Sequence, residues 1–506
     1  MDENVIFSKP DSTSQKTSGD ASATSAPSPI VPSVQQTIPQ APIENPVPPV
    51  IPPPVTPSPA APESPLPPPP PPRSSPLKGI LKIVVAILAI FFVVIVFVVF
   101  ILPRFKKTTP ESAVTLTYWG LFEDKNVMNS IIASFEHEHP SIKINYIQKD
   151  VKQYRQSLVT QINNGTGPDL FRFHNSWTGM MRPYLSPMTT DVISSSDLKK
   201  NYYPVIQQDL VRNGALYGIP LEIDTLALFV NPDLLQKAGD EVPTTWDQFV
   251  KVAKDMVVKD ANGKIQTAGA AMGTYDNVTH APDILAMLMA QNGTNFNNFS
   301  ATPNNTAQAL QFYTAFAQSE GSVWDDTLDP SITAFAKGNL AMYFGYSWDI
   351  FTIQALNPDL NFKIYPSPNL PNRKSAIASY WAEGVSAKSP HQKEAMLFMK
   401  YLTQKNTLQN LYTEESKTRK FGEPYPLVEL AASVKNNPFV YPFLQQAPYA
   451  TSSYFASDTD DDGINAQMNA YLGNAVRSVL NDNSSAQSAV DTLAQGVNQV
   501  LAKYGR

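Results

Sequence analysis

Cysteine is absent from this 506-residue chain. No disulfide is available to indicate the redox compartment, and no thiol is present to take a lipid anchor. Histidine is scarce, with five residues in all. Two of them, His137 and His139, flank Glu138 at an expected helix end without further ligands at zinc spacing, so they read as solvated side chains. Basic clusters are missing except beside one apolar run, and the net charge is −6. That excludes an electrostatic footprint for nucleic acid. Aromatic residues are nearly missing from residues 1–76, which hold 23 of the 46 prolines with much Ser, Thr and Ala. Such a segment cannot bury enough apolar surface to offset its ordering entropy, so a disordered Pro-rich tail is expected there. Within it, residues 67–72 favour polyproline II and read as a stiff spacer or tether before they read as a docking site for a proline-recognising module.

What is present begins with twenty consecutive apolar residues, 83–102. As a helix they would cover about 30 Å, the thickness of a bilayer core. One transmembrane helix is expected over residues 80–103, followed by a linker at 104–113. A cleaved signal peptide fits poorly: the run is too long, some eighty residues precede it, and Pro103-Arg104 is no small-residue cleavage site. Arg73, Lys78 and Lys82 flank one end and Arg104, Lys106 and Lys107 the other, so charge alone sets no orientation.

Residues 114–506 are long enough for two lobes, each with its own core. Residues 114–119 alternate as a strand, and Val127, Ile131 and Phe135 then lie four apart on a helix ending near Pro140. Ile142, Ile144 and Tyr146 mark a second strand, Tyr154, Leu158 and Ile162 a second helix, and residues 170–173 a third strand. This order implies a parallel α/β sheet with right-handed crossovers. Ligands bind outside the carboxyl ends of such strands, here residues 119–124 and 173–177.

Residues 214–246 read GALYGIPLEIDTLALFVNPDLLQKAGDEVPTTW. Leu221 and Ile223 alternate with Glu222 and Asp224, placing two carboxylates on one face. The continuous apolar run 225–230 reads as a buried strand. Asn231 caps the next helix, Pro232 suits its first turn and Gly239 ends it; Thr245 and Gln248 have capping-box spacing for another.

This block closely resembles the signature of the family 1 extracellular solute-binding proteins, the group that includes the maltose-binding protein. The matching positions are Tyr217, Gly218, Pro220, Asn231, Asp233, Leu234, Ala238, Gly239, Pro243, Thr245 and Trp246, with Val230 where relatives often have Tyr. A second block, FAKGNLAMYFGYSWD at 335–349, matches the family at Phe335, Gly338, Ala341, Met342 and Trp348. There Gly338 ends a helix, residues 340–344 form a strand, and Gly345 frees the backbone for a loop presenting Tyr346, Ser347 and Trp348. A third block, residues 380–402, resembles the return segment into the first lobe, with Ser389 and Gln392 as a capping box.

The resemblance implies a type II periplasmic-binding-protein-like fold, two lobes with a hinge and an interlobe cleft. The first lobe would comprise about 114–223 and 361–405, the second about 224–360 and 406–506. It also implies a carbohydrate ligand, an ABC importer as partner, and a solute-binding domain outside the cell with the N-terminal tail in the cytoplasm. The residues implied at the cleft are Trp119, Glu123, Phe173, His174, Asn175, Glu222, Asp224, Tyr275, Tyr346, Trp348, Trp381 and Glu383. Aromatic faces suit the C–H faces of a pyranose, and the polar groups its hydroxyls. Trp348 is the first choice for stacking, while His280 and Trp324 are further second-lobe positions.

Rival chemistries are weaker. Asp458, Asp460, Asp462 and Gly463 match the opening of an EF-hand loop, yet the twelfth position is Asn469, so an acidic helix cap is preferred to calcium. Gly345 to Trp348 begins like a nucleophile elbow, but Asp349 replaces the closing glycine. A glycoside hydrolase would need two carboxyl groups, such as Glu222, Asp224 or Glu383, straddling a bond. A ligand sensor signalling through the long tail is the other alternative. No cofactor and no catalytic residue is expected.

Overall fold

The computed structural model describes residues 89–92, 95, 113–318, 321–460 and 462–504. The Pro-rich tail lies outside these, as does the apolar run 83–102 except for the helical residues 89–92 and 95. No helix among the described residues is long and apolar enough to cross a membrane.

The expected strand and helix order of the first lobe is present. Strands β1 (Val114–Gly120), β2 (Ile142–Gln148) and β3 (Leu170–His174) alternate with helices Lys125–Glu138 and Tyr154–Asn163. Strand β1 pairs in parallel with both β2 and β3. A short hairpin, β4 (Val211–Arg212) and β5 (Ala215–Leu216), precedes β6 (Ile219–Pro220) and β7 (Asp224–Thr225). The second lobe follows with β8 (Ala227–Val230), β9 (Val258–Lys259), β10 (Ile265–Ala270), β11 (Leu340–Gly345) and β12 (Lys363–Tyr365). The chain then adds β13 (Ala376–Ser379), β14 (Trp381–Val385) and β15 (Ala450–Thr451).

Among the described residues the main sheets run β2-β1-β3-β14-β6 and β12-β8-β11-β10-β9, joined through a three-stranded sheet β15-β13-β7. Two of the three strands of the joining sheet lie where the chain passes from one main sheet to the other, β7 between β6 and β8 and β13 between β12 and β14, and β15 pairs onto β13 later in the chain. The apolar run 225–230 is therefore split. Thr225 stays with the joining sheet and Ala227–Val230 enters the second sheet, with Leu226 as the break, its N–H donating to Ile377 and its carbonyl accepting from Ser367 and Gln446.

The passages between lobes fall later in the chain than the resemblance implies. Lys363–Tyr365 pairs antiparallel with β8, so it belongs to the second sheet and not the first lobe. Helix Lys405–Thr418, expected mostly in the second lobe, packs beside Lys125–Glu138 in the first, burying Leu408 and Leu411. Apolar contact across these faces decides the matter. In the second lobe Phe229 is wholly buried among Phe335, Tyr343, Phe362 and Phe443, and such a side chain contributes about 1.5–3 kcal/mol.

Local signals mostly act as their chemistry requires. The Asn231 side chain accepts from the N–H groups of Asp233 and Leu234, and Gly239, at φ 75°, closes helix Pro232–Ala238. Thr245 and Gln248 form a reciprocal capping box on Trp246–Asp255. The box expected at Ser389 does not form. Helix Gln392–Leu402 starts later, and the Ser389 hydroxyl donates to the Asp169 carboxylate at 2.5 Å. Nor does Gly345 use a positive φ. It is glycine because a Cβ there would collide with the Asp349 carboxylate and the Tyr343 ring.

Candidate functional site

Parallel pairing brings the carboxyl ends of β1 and β3 to one edge of the first sheet, and antiparallel pairing sets the start of β14 beside them, with Trp381 opposite His174. The consequence is an aromatic group at that edge. Ring centres of Phe122 and Trp381 lie 5.4 Å apart, Trp177 and Trp381 5.1 Å, and His174 and Trp381 5.2 Å. Phe122 is the open member, 48 % exposed, whereas Trp177 is covered.

Behind the aromatic group, Arg172 holds the edge together. Its Nε donates to Glu383 at 2.6 Å and its Nη1 to both oxygens of Glu123 at 2.6 and 2.5 Å, all three residues being buried. Tyr146 donates to the Glu123 carbonyl at 2.8 Å and Tyr154 to the Arg172 carbonyl at 2.9 Å. Burial pushes the Glu383 carboxyl up, against the pull of Arg172. Breaking such a buried pair leaves an uncompensated charge, so Arg172 fixes the loop that carries Phe122. Burial also lowers His174 to about 3, and the neutral imidazole sits between the hydroxyls of Ser176 (2.7 Å) and Ser379 (3.0 Å).

In the second lobe, Trp348 stacks on Tyr346 with centres 4.3 Å apart and planes 17° apart. Tyr346 is wholly buried and Trp348 only partly. The stack is held from below. Tyr346 donates to Asp283 at 2.8 Å, while Asp349 accepts from the Tyr346 N–H (3.0 Å), the Tyr343 hydroxyl (2.9 Å) and His280 Nε2 (2.7 Å). Burial opposes the His280 cation, but the charge and hydrogen bond of Asp349, with Asp458 beyond, outweigh it and lift the pKa to about 10. At neutral pH His280 is therefore a cation locked beneath the stack.

Asp224, on β7, joins this loop to the three-stranded sheet: its Oδ2 accepts from the Ser347 N–H at 2.7 Å and its Oδ1 from the Thr225 N–H at 2.7 Å. Burial raises its pKa well above the ordinary carboxylate value. Glu222 is half-buried, and burial with the Glu423 charge raises it likewise. The two lobes also meet through Asn465 at the start of helix Ile464–Asn481, which accepts from the Trp177 indole at 2.6 Å and donates to Ser176 at 3.0 Å.

Other sequence candidates lie elsewhere. Phe173 is wholly buried against Phe171, with Gly218 and Gly384 beneath it. Trp119 is buried with Lys149 Nζ 3.9 Å over its ring. The Tyr275 hydroxyl donates to the Asn469 carbonyl and its ring lies under Arg477, so it packs on the helix Ile464–Asn481. Trp324 is buried and donates to Thr274. Asn175 is buried and donates to Asp209 at 2.9 Å. Of the three aspartates with calcium-loop spacing, Asp458 lies 3.4 Å from His280 and Asp462 pairs with Arg155 at 2.6 Å. Among the described residues no group of three or more His, Asp or Glu gathers as a metal site.

Residues 130–439 match the family of bacterial extracellular solute-binding proteins. The chain belongs to that family. It is 23 % identical over 399 residues to the multiple sugar-binding protein of Streptococcus mutans, covering 71 % of this chain and 91 % of that one. It is 22 % identical over 409 residues to the galactooligosaccharide-binding protein of Bacillus subtilis, covering 77 % and 90 %. Among solved structures, the sugar-binding protein MalE of Xanthomonas citri superposes with a TM-score of 0.63 at 20 % identity, over 77 % of this chain and 98 % of that one. A cyclo/maltodextrin-binding protein complexed with maltotetraose gives 0.62 at 20 % identity, over 78 % and 98 %. The fold is thus the mixed α/β two-lobe fold of those structures.

As a solute-binding protein the chain carries site features that its motifs pass over. Phe122 lies within the strand-end segment singled out above, but nothing in the sequence marks it as the exposed ring. Arg172 has a visible signal, a lone cation inside the apolar strand LFRFH. Asn465 has none, because its partners lie almost 300 residues away.

Proposed function

We propose that this protein captures a carbohydrate, an oligosaccharide or glycoside, in the cleft between its lobes and delivers it to an ABC importer. The observation that carries the reading is the Trp348 and Tyr346 stack, a partly open aromatic platform on one lobe, with the Phe122 and Trp381 pair on the other. Aromatic faces pack against the apolar C–H faces of sugar rings, and half-buried Glu222 supplies an acceptor for hydroxyls. Closure of the lobes around the sugar follows if the closed arrangement binds it better. The relatives, sugar- and oligosaccharide-binding proteins, support the same class. We further propose that residues 83–102 anchor the chain in the membrane, with the tail cytoplasmic and the lobes outside.

Two of the three carboxylates named for a hydrolase are engaged: both Asp224 oxygens accept backbone N–H groups, and Glu383 is buried against Arg172, which leaves Glu222 without a free second carboxylate from that set. Binding without cleavage is the better fit. The deciding experiment titrates the chain with mono- and oligosaccharides, following melting temperature and tryptophan fluorescence, with products checked by chromatography. Ligand at 100 times its dissociation constant stabilises by about 2.7 kcal/mol, a readable shift. In Trp348→Ala, affinity is expected to fall about 30-fold, the effect of a central aromatic anchor worth about 2 kcal/mol. Unchanged affinity in that variant, or a cleaved sugar, overturns the reading.

A further inference from the structure

A second concavity adjoins the joining sheet, with Thr451 of β15 in its wall. Its volume is about 330 Å³, and its walls come from the first lobe (Asn175, Asp209), from the chain leaving β15 (Ser452, Ser453) and from a second-lobe loop (Phe296, Asn297). None of Phe122, Trp348 and Trp381 lines it. That volume sits at the small end of ligand pockets, which run from about 300 to 1,000 Å³.

The lining is built and polar, and besides the Asp209 carboxylate it includes Arg212, whose positive charge acts on Asp209 and offsets it. Asp209, only 5 % exposed, is held by the Asn175 amide at 2.9 Å, the Tyr380 hydroxyl at 2.8 Å and the Ser452 hydroxyl. These donors come from three separate stretches of chain. Their convergence fixes a carboxylate, with lone pairs to spare, at the wall of the cavity. Ser453 and Thr294 are buried there as well. Amides and hydroxyls offer donors and acceptors side by side, the pattern that vicinal hydroxyls match. Phe296, half-buried, adds a ring face for C–H groups.

We infer that this cavity is a second binding site, for a neutral polyol or monosaccharide-sized solute, separate from the Trp348 cleft. Because its walls come from both lobes, the solute binds more tightly to the lobe arrangement that keeps those walls within reach. By linkage it then changes the affinity of the main cleft, and that cleft's ligand changes its own. The site thereby sets how firmly the protein holds its cargo according to the small-polyol content of its surroundings.

The test uses the detergent-solubilised full-length chain, with myo-inositol and D-glucose as probes and calorimetric stoichiometry as readout. Asn297 is on an exposed loop, so Asn297→Trp fills the cavity with little risk to folding, and Phe296→Ala is a second variant should it misfold. Expected is a probe site that persists in Trp348→Ala, weakens at least tenfold in Asn297→Trp, and shifts oligosaccharide affinity at least about fivefold when saturated. Absence of probe binding in Trp348→Ala overturns the inference, because the cavity is then part of the main cleft or empty of function. Unchanged probe binding in both cavity variants overturns it as well. Failure of the carbohydrate reading shows differently, as unaltered oligosaccharide binding in Trp348→Ala whatever the cavity variants do.

Discussion

His174 illustrates how one buried side chain couples the site to pH. In the unfolded chain its pKa is the ordinary 6.5, while burial between two serine hydroxyls lowers it to about 3 in the fold. Below pH 6.5 the unfolded state binds the extra proton, so the stability from this residue, complete above 6.5, is lost as pH falls toward 3. The limiting slope is about 1.4 kcal/mol per pH unit. Glu415 acts in the opposite sense. Its pKa rises from 4.5 to about 8 through burial, so the fold binds the extra proton and stability declines as pH rises from 4.5 to 8. Denaturation midpoints of wild type and His174→Asn between pH 6.5 and 5 separate the two. The variant is expected to lose less stability on acidification, and parallel curves would show that His174 titrates normally.

Among the elements, β11 and its exit decide where the Trp348 platform sits. The strand is fully buried, and Gly345 ends it where the Asp349 carboxylate and the Tyr343 ring come too close for any side chain. Gly345→Ala is expected to cost about 1–3 kcal/mol through overpacking. Because Asp349 also holds Tyr346 and His280, the same change is expected to weaken sugar binding along with the denaturant midpoint. A stable variant that binds normally would remove Gly345 from the positioning of the platform. This position also shows why motif reading falls short: FAKGNLAMYFGYSWD identifies the strand and the loop, yet the reason for its glycine is a contact with a side chain four residues on, visible only in three dimensions.

For the whole molecule, the two lobes meet at the joining sheet and through Asn465, and they follow a tail and an apolar run of twenty residues. If residues 83–102 span the bilayer, the full chain sediments with membranes and resists carbonate extraction, while a chain lacking 83–102 is released. Release of the full chain by carbonate would leave the anchor without support.

The sequence by itself determined the α/β order of the first lobe, the helix ends at Asn231, Gly239 and Thr245, and the family, because periodicity, capping and ordered short motifs are local. Tertiary structure alone decided that the run 225–230 divides between two sheets, that helix Lys405–Thr418 packs with the first lobe, and that Phe173 and Trp119 are core while Phe122 is open. It also decided that Glu123 and Glu383 serve Arg172. The physical reason is common to all of these. Burial and charge pairing depend on residues distant in the chain, 49 and 211 positions away for the two partners of Arg172, and no local pattern records which of them meet.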